Sequence, residues 1–313
     1  MKKYAFGIDV GGTTIKMGFF SEEGELLDKW EIPTDTSDRG SHIISDLAAA
    51  VNGKLAAAGC SRASVVGIGI GVPGPVSRAG YVLNCPNLGW GTFFLEEEIT
   101  KQTGLYCKAG NDATVATLGE MYRGGAKNYQ NLVMLTLGTG VGGGIVLDGK
   151  ILPGTFGAAG EVGHMPVNDH ETAVCGCGKR GCLEQYASAN GFARVTKLCL
   201  AESGEDTLLR NCGKLTSKEI FDAAKAGDAF ALRMVDNLGR TLGKACAVIA
   251  GVVDPEVFVF GGGVSRAGTI LTDAVRSHYD RYVFRPGAAF VLAELGNDAG
   301  IYGGVKMVLD AKK

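Results

Sequence analysis

No uninterrupted apolar run reaches the roughly 18 residues that a membrane-spanning helix needs, so the chain is expected to be soluble. The opening M-K-K-Y-A-F-G-I-D meets an acid after a short apolar stretch, unlike a secretory leader. Blocks of one charge are also lacking: 31 basic residues stand against 33 acidic ones, for a net charge of -2. Nothing in that balance favours nucleic acid or an anionic membrane, and a small molecule is the better partner. No G-x-x-x-x-G-K-[ST] stretch occurs, which speaks against a P-loop nucleotide site. A disulfide framework is disfavoured too. The nine cysteines are odd in number, and Cys60, Cys85, Cys107, Cys199, Cys212 and Cys246 are scattered singly. Those six read as small hydrophobes in a reducing, cytoplasmic setting.

Glycine is plentiful, 49 of 313 residues, but it follows no period, so collagen-like and linker readings fail. It gathers in tight loops beside short apolar runs. Tyr4 to Ile8, Ile15 to Phe20, Val65 to Ile70, Leu132 to Leu137, Gly144 to Leu147 and Val257 to Phe260 have strand composition. Helical spacing appears between them. Ile43, Ile44, Leu47, Val51 and Leu55 share one side of His42 to Ala58, and a long helix through Leu232, Val235, Leu238, Leu242, Cys246 and Ile249 ends near Asp254-Pro255. Thr216 with Glu219 forms a candidate capping box, with Ser217 as the alternative cap. The class is α/β.

Two hairpins echo one another, G-I-D-V-G-G-T-T-I-K near residue 7 and L-T-L-G-T-G-V-G-G-G-I-V near residue 135. Each joins an apolar run to another through a glycine turn, which suggests two related domains facing one cleft. The expected division is an N-terminal α/β domain at 1-118 and a larger α/β domain at 119-313. The last helix, 299-309, is a candidate to return and brace the first domain.

Three glycine loops suit phosphate. The first offers Gly11 and Gly12, then the hydroxyls of Thr13 and Thr14, with Asp9 as a hard-oxygen group suited to hydrated magnesium. In the second, Gly138, Thr139, Gly140, Gly142, Gly143 and Gly144 offer backbone N-H groups. The third, Gly261 to Ser265 with Gly262 and Gly263 at its centre, lies between a strand and a helix start, where anions are favoured. Singly, each fits a plain strand turn as well. The second leads into I-V-L-D-G rather than a helix, so it makes a poor dinucleotide fingerprint.

Asn111-Asp112 follows the expected strand Leu105 to Ala109 and precedes a helical run. Asp112 suits a base that takes a proton from a hydroxyl attacking phosphorus; a helix cap is the competing reading. Further on, E-V-G-H at Glu161 to His164 and C-G-C-G-K-R-G-C-L-E at Cys175 to Glu184 set metal-ligand types beside carboxylates. His164, Cys175, Cys177 and Cys182 would make a closed tetrahedral zinc site without an open position for chemistry, with His170 as an alternative to His164. Buried thiols beside a core histidine are the alternative. Glu161 and Glu184 are of a type that binds adjacent sugar hydroxyls.

Together these segments, with G-V-P-G-P-V at Gly71 to Val76, resemble the ROK family of sugar kinases across essentially the whole chain. The resemblance implies the duplicated actin-like ATPase (ribonuclease H-like) fold, two domains around a central cleft, and ATP-dependent phosphorylation of a hexose. It implies Asp112 as general base, with Asn111, Asp112, Glu161, His164 and Glu184 on the sugar, His164 also binding structural zinc. Magnesium-ATP would lie on the glycine loops, its adenosine near Gly261 to Ser265. The glucokinase branch, acting at the 6-hydroxyl of glucose, matches best; N-acetylmannosamine, N-acetylglucosamine and fructose kinases share the framework. In Asn87-Leu88-Gly89-Trp90, Trp90 is either a sugar-pocket residue or core. Some members are repressors with a preceding helix-turn-helix domain, for which the early Asp9 leaves no room, though a non-catalytic sugar-binding regulator is a reading of another class. A homodimer is also implied by the resemblance.

Overall fold

The computed structural model describes residues 3–312. The chain opens with strands β1 (Tyr4–Val10), β2 (Thr14–Ser21) and β3 (Leu26–Pro33), then helix α1 (Ile43–Ala57) and β4 (Val65–Val72). A short pair, β5 (Tyr81–Val82) and β6 (Phe93–Phe94), leads to α2 (Leu95–Thr103), β7 (Cys107–Asn111) and α3 (Asp112–Arg123). Strands β8 (Leu132–Leu137), β9 (Val141–Leu147) and β10 (Lys150–Ile151) follow. Next come α4 (Glu184–Ala187), α5 (Ala189–Glu202), α6 (Ser217–Lys225), α7 (Ala229–Val253) and β11 (Val257–Gly261). The chain closes with α8 (Gly262–Ser265), α9 (Thr269–Tyr282), β12 (Ala289–Leu292) and α10 (Ala299–Asp310).

One sheet has the order β3-β2-β1-β4-β7, and the other β10-β9-β8-β11-β12. Numbered by appearance within each sheet, both run 3-2-1-4-5. In the first, β1, β2 and β3 are antiparallel neighbours while β1, β4 and β7 run parallel. In the second, β8, β11 and β12 run parallel. The repeated order is the structural counterpart of the two glycine hairpins.

By its contacts the chain forms two compact units, Met1–Asn128 with Gly144–Gly160 and Glu294–Lys313, and Tyr129–Gly143 with Glu161–Ala293. A single cut at 118/119 does not describe this division. That cut falls inside α3, which the first unit keeps whole. Helix α10 also belongs to the first unit.

Both faces of the first sheet are covered, so β1 is a near-continuous apolar run. Phe6, Ile8 and Met17 join Ile43, Leu47 and Val51 of α1 in one core cluster. Ala5 and Phe20 join Ile301, Val305 and Val308 of α10 in another. Glycine lets α10 settle this close: a Cβ on Gly69 would lie 1.7 Å from the Gly304 carbonyl oxygen.

In the second unit, α7 runs 25 residues from Asp228, whose carboxylate accepts the Ala231 N-H at 2.8 Å, and stops at left-handed Asp254 before Pro255. The expected capping box at α6 takes another form. Thr216 occupies the cap position, but its hydroxyl bonds the Glu219 carboxylate rather than the backbone. In the first unit, Trp90 resolves as core. It is 6% exposed, donates from Nε1 to the Gly40 carbonyl at 3.0 Å, and meets Phe93 edge-on. Among the described residues no helix is long and apolar enough to cross a membrane.

Candidate functional site

In the first unit the carboxyl ends of three parallel strands carry the polar groups, the end of an open α/β sheet at which ligands bind. Asp9 of β1 pairs in register with Gly71 of β4, and Val72 of β4 with Asn111 of β7. Asn111 caps α3, accepting the Thr114 N-H at Oδ1 (3.2 Å) and donating from Nδ2 to the Gly74 carbonyl (3.4 Å). The cap reading therefore holds for Asn111. It leaves Asp112 as the first residue of the helix, where the macrodipole favours a negative charge. Asp112 Oδ1 accepts the Ala113 N-H at 2.7 Å.

Asp9 lies against α10, where a Cβ on Gly300 would come within 2.6 Å of its Cγ. Burial pushes its pKa from 3.8 to about 6; Lys16, its register partner on β2, pulls the other way, and the charge of Asp112 adds to the rise. The adjoining turn is held by Gly11 N-H to the Thr14 carbonyl (3.0 Å), by Thr34 N-H to the Thr13 carbonyl (2.9 Å) and by the Thr34 hydroxyl to the Gly11 carbonyl (2.7 Å). Thr34 carries no motif, and sequence reasoning missed it.

In the second unit, Gly138 N-H donates to the Gly140 carbonyl at 3.0 Å, closing the turn that contains Thr139. Gly140 is small for a local reason. A Cβ there would sit 2.3 Å from Glu184 Oε2, which accepts the Val141 N-H at 3.0 Å. Gly142, Gly143 and Gly144 lie inside β9 rather than in a loop, because strand pairing resumes at Val141. Their expected place in the phosphate loop is corrected. At the start of α8, a Cβ on Gly262 would lie 2.6 Å from the Leu137 backbone, whereas Gly12, Gly138 and Gly263 meet nothing closer than 4.0 Å. Internal packing thus accounts for Gly140 and Gly262, and leaves room for a ligand at the other three.

His164, Cys175, Cys177 and Cys182 come together with one donor atom each, all within 4.8 Å of one another. His164 turns Nδ1 towards Cys175 Sγ at 3.8 Å, and the Cys177 and Cys182 sulfurs are 3.6 Å apart, too far for a covalent bond of about 2.05 Å. Exposed His170 lies outside this set. Burial pushes the Cys182 thiol up to about 12, while a backbone hydrogen bond at Lys179 draws the Cys177 thiol down. A bound cation would deprotonate both. Glu184 opens α4 two residues beyond Cys182 and takes the Cys175 thiol at 3.6 Å on Oε1. Glu161 is exposed, and its carbonyl accepts the His164 N-H (3.1 Å) in a 3-10 turn, not an α-helix.

Sequence reasoning also missed the clamp behind this loop. Glu171 accepts from the Tyr186 hydroxyl (2.6 Å), from Arg194 (2.7 Å) and from the Ala173 N-H (3.0 Å). Gln185 accepts the Cys182 N-H at 3.1 Å and donates to the Ala173 carbonyl at 2.9 Å. These bonds fasten residues 171–182 to α4 and α5, fixing the backbone that carries Glu184.

The ROK family profile matches residues 5–311. A glucokinase of Halalkalibacterium halodurans is 44% identical over 309 residues, 96% of this chain and 94% of its own. Among solved structures, a ROK family glucokinase from Streptomyces griseus in complex with glucose and AMPPNP is 34% identical, with a TM-score of 0.75 over 97% of this chain and 98% of that one. A ROK family transcriptional regulator, a homologue of the E. coli MLC protein, is 27% identical with a TM-score of 0.85 over 99% of this chain and 78% of that one. With a whole-length profile match and a relative of this identity, the chain belongs to the ROK family.

Proposed function

We propose that the protein is an ATP-dependent hexose kinase acting on the 6-hydroxyl of glucose. The observation that carries this reading is Asp112, a carboxylate where β7 passes into α3, in a chain 44% identical to a glucokinase. Asp112 accepts the hydroxyl proton as the sugar oxygen bonds to the γ-phosphorus and the bond to ADP breaks. Its contribution is mainly position, since phosphoryl transfer leaves the protein little covalent work. The Asn111 cap supplies that position by fixing the start of α3.

Asn111, Glu161, His164 and Glu184 bind the other hydroxyls. Each carboxylate accepts from two donors, and His164, with Nδ1 in the metal cluster, offers Nε2 to the sugar. Asp9 would hold magnesium, whose charge, when bound, neutralises the phosphates; a carboxylate whose burial raises its pKa to about 6 gains from such a cation. Gly11, Gly12, Thr13 and Thr14 with Gly138 and Thr139 serve the phosphates, and Gly263 the adenosine; Gly140 and Gly262 are glycine for their own packing and offer a ligand at most their backbone N-H groups.

The four-residue cluster suits zinc. Zn–S bonds of about 2.3 Å in a tetrahedron separate donor atoms by about 3.6–3.8 Å, and His164 Nδ1 to Cys175 Sγ and Cys177 Sγ to Cys182 Sγ are 3.8 and 3.6 Å. With all four positions filled by protein, the ion would be a structural cross-link. The reading includes a cytoplasmic homodimer, checked by light scattering.

The likeness to a transcriptional regulator favours a second reading, a non-catalytic sugar-binding regulator. Rates with magnesium-ATP on glucose, fructose, N-acetylmannosamine and N-acetylglucosamine test both. Highest catalytic efficiency on glucose supports the assignment. Preference for another sugar moves it within the family, and no turnover on any supports the regulator.

A further inference from the structure

The chain first passes out of the first unit after Asn128, re-enters it for Gly144–Gly160, and returns for the last time at Glu294. One side chain holds the first and the last of these four passages. Glu120, in the last turns of α3, is fully buried, and its Oε2 accepts the Gly125 N-H at 2.9 Å and the Glu294 N-H at 3.0 Å. Its Oε1 accepts the Leu295 N-H at 2.9 Å. A buried carboxylate is costly unless hydrogen-bonded, and here its partners come from just these two stretches. The backbone reinforces the outgoing one, since Gly124 and Ala126 N-H groups both reach the Glu120 carbonyl at 3.1 Å. Gly124 wraps the carboxylate so tightly that a Cβ there would lie 2.0 Å from Oε2.

The same helix begins at Asp112, eight residues earlier, or about 12 Å along its axis at 1.5 Å per residue. α3 is itself locked to α10: a Cβ on Gly119 would meet the Ala299 carbonyl oxygen at 2.1 Å, and one on Gly303 the Val115 carbonyl oxygen at 1.7 Å. Domain motions turn on a few residues at element ends, and Glu120 pins two such points to the rod that bears the base.

We propose that Glu120 is a positioning residue for phosphoryl transfer: it ties the first and last of the chain's passages between the units to α3, so that two of the four connections are fixed relative to Asp112. This rests on the kinase reading above. A role in stability alone would satisfy the same oxygens, so the two are separated by kcat against KM and by where hydrogen exchange quickens. A carboxylate is acceptor-only, so Glu120→Gln must face at least one backbone N-H with its own N-H.

The test is Glu120→Gln, with Gly124→Ala as a second variant that keeps the Glu120 side chain but forces its carboxylate to shift. In folded, metal-replete Glu120→Gln, kcat for ATP-dependent glucose phosphorylation should fall at least about 10-fold, since misplacement by about 1 Å can cost 100-fold. KM for glucose should change less than kcat. Hydrogen exchange should quicken at Gly125, Glu294 and Leu295 ahead of the sheet, with Gly124→Ala behaving alike. A folded variant with kcat within twofold of wild type, or exchange raised evenly throughout, overturns the proposal. If Glu120→Gln does not fold, Gly124→Ala decides by the same readings, and loss of fold in both assigns Glu120 to stability alone. Wild-type protein that phosphorylates no sugar removes the kinase reading and this inference with it; an active wild type with an equally active variant removes the inference only.

Discussion

Asp9→Asn should make the metal-free protein more stable while removing most of its activity. Burial against α10 raises the Asp9 pKa from 3.8 to about 6 despite Lys16. A carboxyl whose folded pKa lies above its unfolded value favours the fold below the unfolded pKa, and that contribution is lost as pH rises through the folded one. Over a shift of about two units, the ionised group costs the empty protein about 3 kcal/mol at pH 8 and about half that at pH 5. Asparagine removes the charge at similar volume, against about 1 kcal/mol or more for burying its amide. Urea unfolding without magnesium should therefore show Asp9→Asn ahead of wild type by about 1 to 2 kcal/mol at pH 8, with the lead shrinking or vanishing at pH 5. Added magnesium-ATP should stabilise wild type and not the variant, and kcat should fall by about 100-fold or more, as when a preorganised electrostatic group is removed. A variant no more stable at pH 8, or one with a lead independent of pH, would refute the burial argument. Full turnover would refute the magnesium role.

Three further outcomes follow from the second unit and the first core. Metal analysis should find about one zinc per chain, and Cys177→Ala should lose it together with sugar turnover, circular dichroism separating this from unfolding; full activity without metal contradicts the structural role. Glu171 is held down to about 2 by the Tyr186 hydroxyl first, then the Ala173 N-H and Arg194. Its folded pKa lies below its unfolded 4.5, so its contribution is present above pH 4.5 and lost as pH falls from there towards 2. Glu171→Gln should be less stable than wild type at pH 7 and lose less stability across that acid window, as read by urea unfolding at each pH; equal slopes would count against the clamp. Trp90→Phe should cost about 1–3 kcal/mol by leaving the Gly40 carbonyl unpaired, with KM for sugar unchanged; a KM shift without stability loss would restore Trp90 to the sugar pocket.

What sequence revealed, and what it hid, divides by the range of the interaction. The apolar face of α1 was legible because Ile43, Leu47 and Val51 recur within one helix. So was the metal cluster, since three of its ligands fall within eight residues of one another. Glu120 was not, because an acid in a helix looks like a solvated face, and its partners Glu294 and Leu295 are 174 and 175 residues away. The glycines of α10 gave no hint that Gly304 meets Gly69 and Gly303 meets Val115. Gly142 and Gly143 misled in the other direction: composition suggested a loop, but they lie in a strand that starts at Val141, ahead of the strand-like run from Gly144. The division by contacts was hidden for a similar reason, because a chain that crosses and returns is not divided by one cut.

The most direct measurement is mass-spectrometric detection of product from purified protein, magnesium-ATP and glucose, run beside Asp112→Asn. The account predicts glucose 6-phosphate with one ADP formed per sugar, and a rate lower by about 100- to 10,000-fold in the variant, the range a positioned general base supplies. Equal rates in the two proteins, or ADP without sugar phosphate, would contradict it.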